Sequence, residues 1–361
     1  MQIGAIVTIA GDGNAVGDKP SSVTRDSALG SSSQSLLGCP VAFAELLGLP
    51  LLDRVIQRLR ASGVEQVSVI SEGTGSKVAQ IDEFVYASGG FWSAWDSVVS
   101  QYLNNGIEIL LLIRLGPYVE IDVPDLVRFH QANPGALTQV YDTKGPLDLV
   151  VVNAAELRVS DGSFRNRLST FIPQRSRYRF SGYSNRLNGA ADFRRLVNDA
   201  FLGRCGVTPV GREVRAGIWM GDYSFVDNTA RIDAPAFIGA GTRIGASCNI
   251  GGSSAIERDC EIDCGTIVED CCVFPDTYVG MGLNVRHSLV AGSKLFHLKR
   301  NVEIEFRDRH LIANTLASRN QLTSATSRLL RPMRTASSFG LSARVSKVAS
   351  LVSNRWLSSS G

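Results

Sequence analysis

The stretch ARIDAPAFIGAGTRIGASCNIGGSSAIERDCEIDCGTIV, Ala230 to Val268, decides the fold of the second half of the chain. An aliphatic residue recurs every six positions, at Ile232, Ile238, Ile244, Ile250, Ile256, Ile262 and Val268, and the register extends back to Val226 and forward to Phe274. Four residues after each comes a mostly small side chain: Ala230, Ala236, Thr242, Cys248, Ser254, Cys260, Thr266 and Cys272, then the bulkier Tyr278. One inward aliphatic and one small residue per unit fits short strands wound around a triangular core, each strand stacking on the one a full coil later. Chance alternation would drift out of phase within a few units. On this phase Met220 and Ser224 belong to the first coil, which takes Trp219 to Asp222 with it.

The repeat also gives the cysteines a role. With three units to a coil, stacked residues lie 18 apart, whereas Cys248, Cys260 and Cys272 lie 12 apart. They fall on different faces among alanine, serine and threonine and read as small packing residues. Cys39, Cys205, Cys264 and Cys271 show no ligand spacing, and no metal ligand is assigned. Seven cysteines without paired spacing, and no basic segment leading into an apolar run at Met1, point to a reducing, cytoplasmic setting. No apolar run approaches the roughly 18 residues that cross a bilayer. A net charge of +3 is too small to imply nucleic acid.

Upstream of the repeat, strand and helix alternate. IVTI at Ile6–Ile9 reads as a first strand and breaks into Ala10-Gly11-Asp12-Gly13-Asn14, a turn where backbone can press against a phosphate. Leu51, Leu52, Val55, Ile56 and Leu59 form one helical stripe that Gly63 ends, and VEQVSVIS follows as a strand. Trp95, Val98, Val99, Tyr102 and Leu103 form a second stripe, stopped at Gly106 before the apolar run Ile107–Leu115. A strand apolar on both faces belongs inside a parallel sheet covered by helices. A helix is expected near Pro124 and another buried strand at Leu149–Val152, which makes a doubly wound, Rossmann-like α/β domain. Ligands of such sheets sit at the carboxyl ends of the strands, where the loop of Ala10, Gly11 and Gly13 falls.

A glycine-rich α/β opening, the segment LLGLPLLDRVIQRLRASGVEQVSVIS and a hexapeptide repeat together resemble the nucleotide-sugar pyrophosphorylases, such as mannose-1-phosphate guanylyltransferases. The resemblance spans most of residues 1 to 292 and implies a left-handed parallel β-helix after the α/β domain. It implies the coupling of a nucleoside triphosphate to a sugar 1-phosphate with release of pyrophosphate, using Mg2+. It also implies nucleotide binding by Ala10, Gly11 and Gly13, which match the opening A-G-x-G-T-R motif.

The departures from the family are chemical. Asn14 and Ala15 replace the Thr and Arg of that motif, and the arginine is the permanent charge that offsets the triphosphate during transfer. Cys39-Pro40 keeps the context of a Lys-Pro pair without the amine, and Gly48-Leu49-Pro50 keeps a Gly-Lys-Pro element without its lysine. The L-x-G-D strand end becomes Arg114-Leu115-Gly116-Pro117, so its metal-holding aspartate is replaced by proline, and nearby Asp122 belongs to the start of the next helix. Between residues 26 and 38 a Ser-rich insertion reads as a flexible loop.

Three readings stay open. One is a nucleotidyltransferase with relocated cations, for which Arg165, Arg167, Arg175, Arg177, Arg179, Arg186, Arg194 and Arg195 are the reservoir. The second is a catalytically silent relative that binds a nucleotide or nucleotide sugar, or a second nucleotidyltransferase subunit. The third, a hexapeptide-repeat acyltransferase, rests on His287, which as a turn residue needs no such role. Of these, the pyrophosphorylase-like protein with weak or lost catalysis is the expectation, as a homo-oligomer without nucleic acid. The expected divisions are residues 1–212 (α/β), 213–292 (β-helix), 293–316 (a cap) and 317–361 (a basic tail). In that tail Leu341, Val345, Val348, Val352 and Trp356 form a stripe suited to an anionic membrane or a partner.

Overall fold

The structure is a computed structural model and describes residues 1–9, 35–71, 82–87, 90–133, 135–159 and 162–315. The basic tail, and the Ser-rich insertion up to residue 34, lie outside the described residues.

The first part builds, in chain order, β1 (Ile3–Ile9), the hairpins β2 (Ser35–Leu36)/β3 (Cys39–Pro40) and β4 (Glu45–Leu46)/β5 (Leu49–Pro50), α1 (Leu51–Ala61), β6 (Gln66–Ser71) and β7 (Glu83–Tyr86). It continues with α2 (Phe91–Asn104), β8 (Ile109–Arg114), β9 (Tyr118–Val119), α3 (Val123–Ala132), β10 (Leu137–Asp142) and β11 (Gly145–Asn153). Then come α4 (Ala154–Val159), α5 (Phe164–Phe171), β12 (Ser176–Arg179), β13 (Ser184–Asn185) and α6 (Ala190–Phe201). Residues 35–38, expected to be loop, instead form half of the first hairpin, because Leu36 is apolar and buries.

Seven strands form one sheet in the order β12-β10-β11-β8-β1-β6-β7. Both faces are covered, and alternate residues of β8 show it. Leu111 and Ile113 pack with Leu52 and Ile56 of α1 and Leu126 of α3, while Leu110 and Leu112 pack with Trp95, Val98 and Tyr102 of α2 and Phe164 of α5. The sheet is mostly parallel, with one departure: β11 runs antiparallel to both β8 and β10. A four-residue turn at Asp142–Gly145 leaves no chain length for a crossover, so the apolar run at Leu149–Val152 must return as a hairpin strand.

The second part stacks short parallel strands into three sheets, as the hexad predicts. Ile232, Ile238, Ile244, Ile250, Ile256, Ile262 and Val268 share one buried core, with Val226 and Met220 half-buried at its start. The small positions are a ladder rather than mere filler. The Thr242 hydroxyl donates to Glu257 O (2.6 Å) and the Thr266 hydroxyl to Gly280 O (2.6 Å), and the Cys248 and Cys260 thiols reach Asp263 O (3.0 Å) and Phe274 O (3.1 Å). Each therefore ties its coil to the next, which selects small side chains with a polar hydrogen.

The predicted phase fails after Val268. Ile256 pairs with Val273, Ile262 with Val279 and Val268 with Val285, so Val273 takes the inward place expected of Phe274. The left-handed corner residues locate the cause: Asp259 and Gly265 lie six apart, but the next corner is Asp270, five on. Because strand side chains alternate, a corner one residue shorter turns the following register over. Cys271 and Thr277 hold the inward small positions assigned to Cys272 and Tyr278, and Tyr278 points out to donate to Asp263 (2.9 Å).

One face of the prism is apolar outside as well. Trp219, Phe237, Ala255, Cys272 and Leu289 stack in register on its outer side and pack with Leu46, Leu47, Leu51, Phe193, Leu196 and Val197 of the first part. The equivalent outward positions of the other two faces begin Phe225, Arg243, Glu261 and Arg231, Asn249. Phe274 also enters this contact, its ring 5.3 Å from Phe193. Beyond the coils, Lys294–His297 and Val302–Glu305 extend the docked sheet antiparallel, and Ile312–Asn314 closes a second sheet antiparallel on Thr277–Val279.

Candidate functional site

From β1 the chain moves outward to β6 and β7, then returns to lay β8 on the other side of β1. The direction of winding reverses between β1 and β8, and the crevice beyond their carboxyl ends is where open α/β sheets take ligands. β1 stops at Ile9; Ala10, Gly11 and Gly13 follow directly but lie outside the described residues. At this edge stand Thr8, whose hydroxyl donates to Ile113 O (3.3 Å), Ser71 at the end of β6, and Arg114 at the end of β8.

The hairpin strand β11 brings its amino-terminal half to the same edge. Asp148 lies opposite the end of β8 and pairs with Arg114, Nε to Oδ2 3.3 Å. Burial pushes the Asp148 carboxyl above the usual aspartate range, with the charges of Arg114 and Arg186 pulling the other way. Beside it, Asp142 at the carboxyl end of β10 receives Arg186 through both oxygens, at 2.5 Å and 3.3 Å, and Arg186 also reaches Gly145 O at 3.2 Å. Burial works against the charge on Asp142, but hydrogen bonds from Arg186 and from the Lys144 amide outweigh it and hold the group low. The edge thus carries two arginine forks, each neutralised by an aspartate. Guanidinium groups of this kind fit phosphate oxygens as well as carboxylates.

The other residues singled out by sequence are scattered. Pro117 lines a mostly apolar crevice with Val55, Leu59 and Ile113, and Asp148 borders the same crevice. Asp122 caps α3, accepting from the Asp125 amide at 3.0 Å. Cys39-Pro40 lies in a hairpin, and Gly48-Leu49-Pro50 turns into α1 against the β-helix. Of the arginine reservoir, Arg186 reaches the carboxyl edge and Arg179 ends β12 on that side. Arg165 stacks on Trp92 (5.3 Å) and Arg177 on Tyr141 (5.4 Å), while Arg175 is half-buried just before β12. Arg167 donates to Leu157 O (2.6 Å), Arg195 pairs with Asp192 (3.0 Å), and Arg194 bridges to Asp270 on the β-helix (2.6 Å). His287 is a corner residue at φ 49°, its Nδ1 2.5 Å from Asp270 and its Nε2 2.8 Å from the Lys299 ammonium.

The donor set at the described edge does not fit magnesium. Pro117 offers no oxygen from its side chain, Asp122 is spent on a cap, and Asp142 and Asp148 each face a guanidinium. Among the described residues no group of three or more His, Cys, Asp or Glu is placed to hold a metal ion, and no helix is long and apolar enough to cross a membrane. Sequence reasoning passed over Arg114 and Asp148 as site residues. Their signal was there: a charge closing the apolar run ILLLIR, and a lone aspartate interrupting PLDLVVV.

No protein-family model matches the chain, and a search of curated proteins finds no match.

Proposed function

We propose that this chain is a nucleotide-sugar pyrophosphorylase-like protein that binds a nucleotide or nucleotide sugar at the carboxyl edge of its sheet and has weak or absent transfer chemistry. The observation that carries the reading is Arg114 at the winding reversal, where β8 ends against β1. A cation there attracts phosphate oxygens, while the two aspartates beside it, Asp148 and Asp142, are each committed to a guanidinium. Nucleotidyl transfer needs charge compensation that grows in the transition state. Arginines already paired with aspartates favour holding a ligand over driving its reaction. The role that follows is a binding or regulatory subunit, with a homo-oligomer or an active nucleotidyltransferase as partner. An acyltransferase base at His287 is disfavoured, since its outward nitrogen faces an ammonium.

The test is calorimetry of the full chain against GTP, UTP, ATP, dTTP and CTP with magnesium, followed by a pyrophosphate-release assay with hexose 1-phosphates. Binding without turnover supports the reading. Rapid magnesium-dependent release of pyrophosphate overturns it, and so does the absence of binding both to the five triphosphates and to the corresponding hexose nucleotide sugars.

A further inference from the structure

The strongest unassigned feature is a carboxyl group of the β-helix buried in the first part of the chain. Glu257 is only 3% exposed. Its Oε1 accepts from the Leu47 amide and its Oε2 from the Gly48 amide, both at 2.8 Å. Those amides belong to the two-residue turn between β4 and β5, where both residues are left-handed, Leu47 at φ 53° and Gly48 at φ 93°. A side chain at position 48 would also meet Val210 at 2.9 Å and Phe237 at 3.1 Å, so glycine is required there twice over. Arg54 of α1 holds the other side of the turn, donating to Leu46 O (2.8 Å) and Leu47 O (2.9 Å).

We propose that Glu257 is a positioning residue acting across the interface: while it stays buried, the charge on this carboxyl sets how firmly it grips the two amides of the Leu47–Gly48 turn. As a carboxylate, Glu257 offers an acceptor to each amide. As an acid, one oxygen carries a hydrogen and becomes a poorer acceptor, so one of the two amide bonds weakens. The neighbours put the exchange within reach of ordinary pH. Burial, and then the charge of Glu45, push Glu257 up to about 8, against the two amide bonds and Arg54. The charged groups acting on it are Glu45 from β4 and Arg54 from α1; Glu45 pairs with Arg258 at 2.5 Å, and Arg258 in turn lies against Asp259 and Asp276. The Cys260 and Cys272 thiols are buried nearby, and burial holds both in the neutral form. The inference needs no nucleotide and stands apart from the ligand reading.

The experiment is hydrogen exchange on the full chain, following peptides that cover residues 45–50, with rates corrected for the intrinsic pH dependence. For the wild type, protection of the turn amides should rise about threefold to tenfold as pH goes from about 6 to about 9, the size expected for one regained hydrogen bond. Glu257→Gln keeps the shape but presents one acceptor at every pH, so its turn should stay at the low-pH level throughout. Flat protection in the wild type overturns the proposal, and so does a Gln variant that follows the wild-type profile. If the variant does not fold, the wild-type profile alone decides.

Discussion

The β-helix and the α/β sheet place their polar groups in opposite ways. In the β-helix, hydroxyls and thiols point inward and are consumed by the coil-to-coil ladder of Thr242, Cys248, Cys260 and Thr266. In the sheet, the interior is mostly apolar, its few polar groups such as Ser68 and Thr138 paired within it, and two ion pairs stand at one edge, Arg114–Asp148 and Arg186–Asp142. A repeat whose polar atoms are spent on its own backbone is a scaffold. An edge whose cations are paired with side chains rather than with backbone is where the proposed ligand would compete for them. The contact between the two regions runs along a single face of the prism, and there the scaffold reaches Leu47 and Gly48 through Glu257.

The largest effect should come from the scaffold core. Ile250 is fully buried among Ile232, Val268 and their neighbours, so Ile250→Asp should lower unfolding stability by about 4 kcal/mol or more in urea denaturation. A variant that melts like the parent would show that the inward phase is misplaced. Next in size is the site of the register slip. Phe274→Ala should cost about 3 kcal/mol and expose α6 to hydrogen exchange while the coils stay protected, since Phe274 packs on Phe193. Val273→Ala should cost less and loosen the coils instead, because Val273 lies in their core. Swapped readouts would restore the uniform six-residue phase.

A pH effect on stability is of comparable size. The folded value of Glu257, about 8, lies above its ordinary 4.5, so folding favours the acid. The favourable contribution is then complete below the ordinary value and is lost as pH rises through about 8. The melting temperature of the wild type should therefore fall relative to Glu257→Gln between about pH 5 and about pH 8. Turn protection follows the folded carboxyl alone and rises as pH passes about 8, which separates a gripping carboxyl from one that is merely buried. A constant difference between the two proteins would remove the titration.

How legible each region was follows from the distance between partners. In the β-helix a residue's role is set by those six positions away and by its stack 17 or 18 away, as with Ile238, Ile256 and Val273, so the period announces itself. The failure at Phe274 arose because Glu269-Asp270 shortens a corner without changing composition, and Val273 and Phe274 are both apolar. The docking face was written in the residues preceding the inward aliphatics, Phe237 and Ala255 against Arg243 and Arg231, but periodicity looks inward. In the sheet, the apolar runs and helical stripes gave the elements and the doubly wound plan. The antiparallel return of β11 was not visible, since a buried strand is apolar in either direction. The pairing of Arg114 with Asp148 depends on that return, and Glu257 finds its amides some two hundred residues away.

The smallest effect tests the edge itself. Arg114 caps a fully formed strand and its side chain is largely covered, so Arg114→Gln, which keeps a polar head of lesser reach, should leave the fold intact. It removes a guanidinium that can hold two phosphate oxygens at once and leaves Asp148 without its closest cation. Two changes then act together on an anionic ligand: an attraction is lost and a repulsion uncovered. Nucleotide affinity in calorimetry should drop about tenfold, equivalent to about 1.4 kcal/mol. Asp148→Asn in the same background should recover part of the loss by removing the exposed charge, an interaction that a double-mutant cycle isolates. An unchanged affinity in both variants would place any nucleotide away from the β8 end. The winding reversal would then describe how the sheet is built but not where it binds.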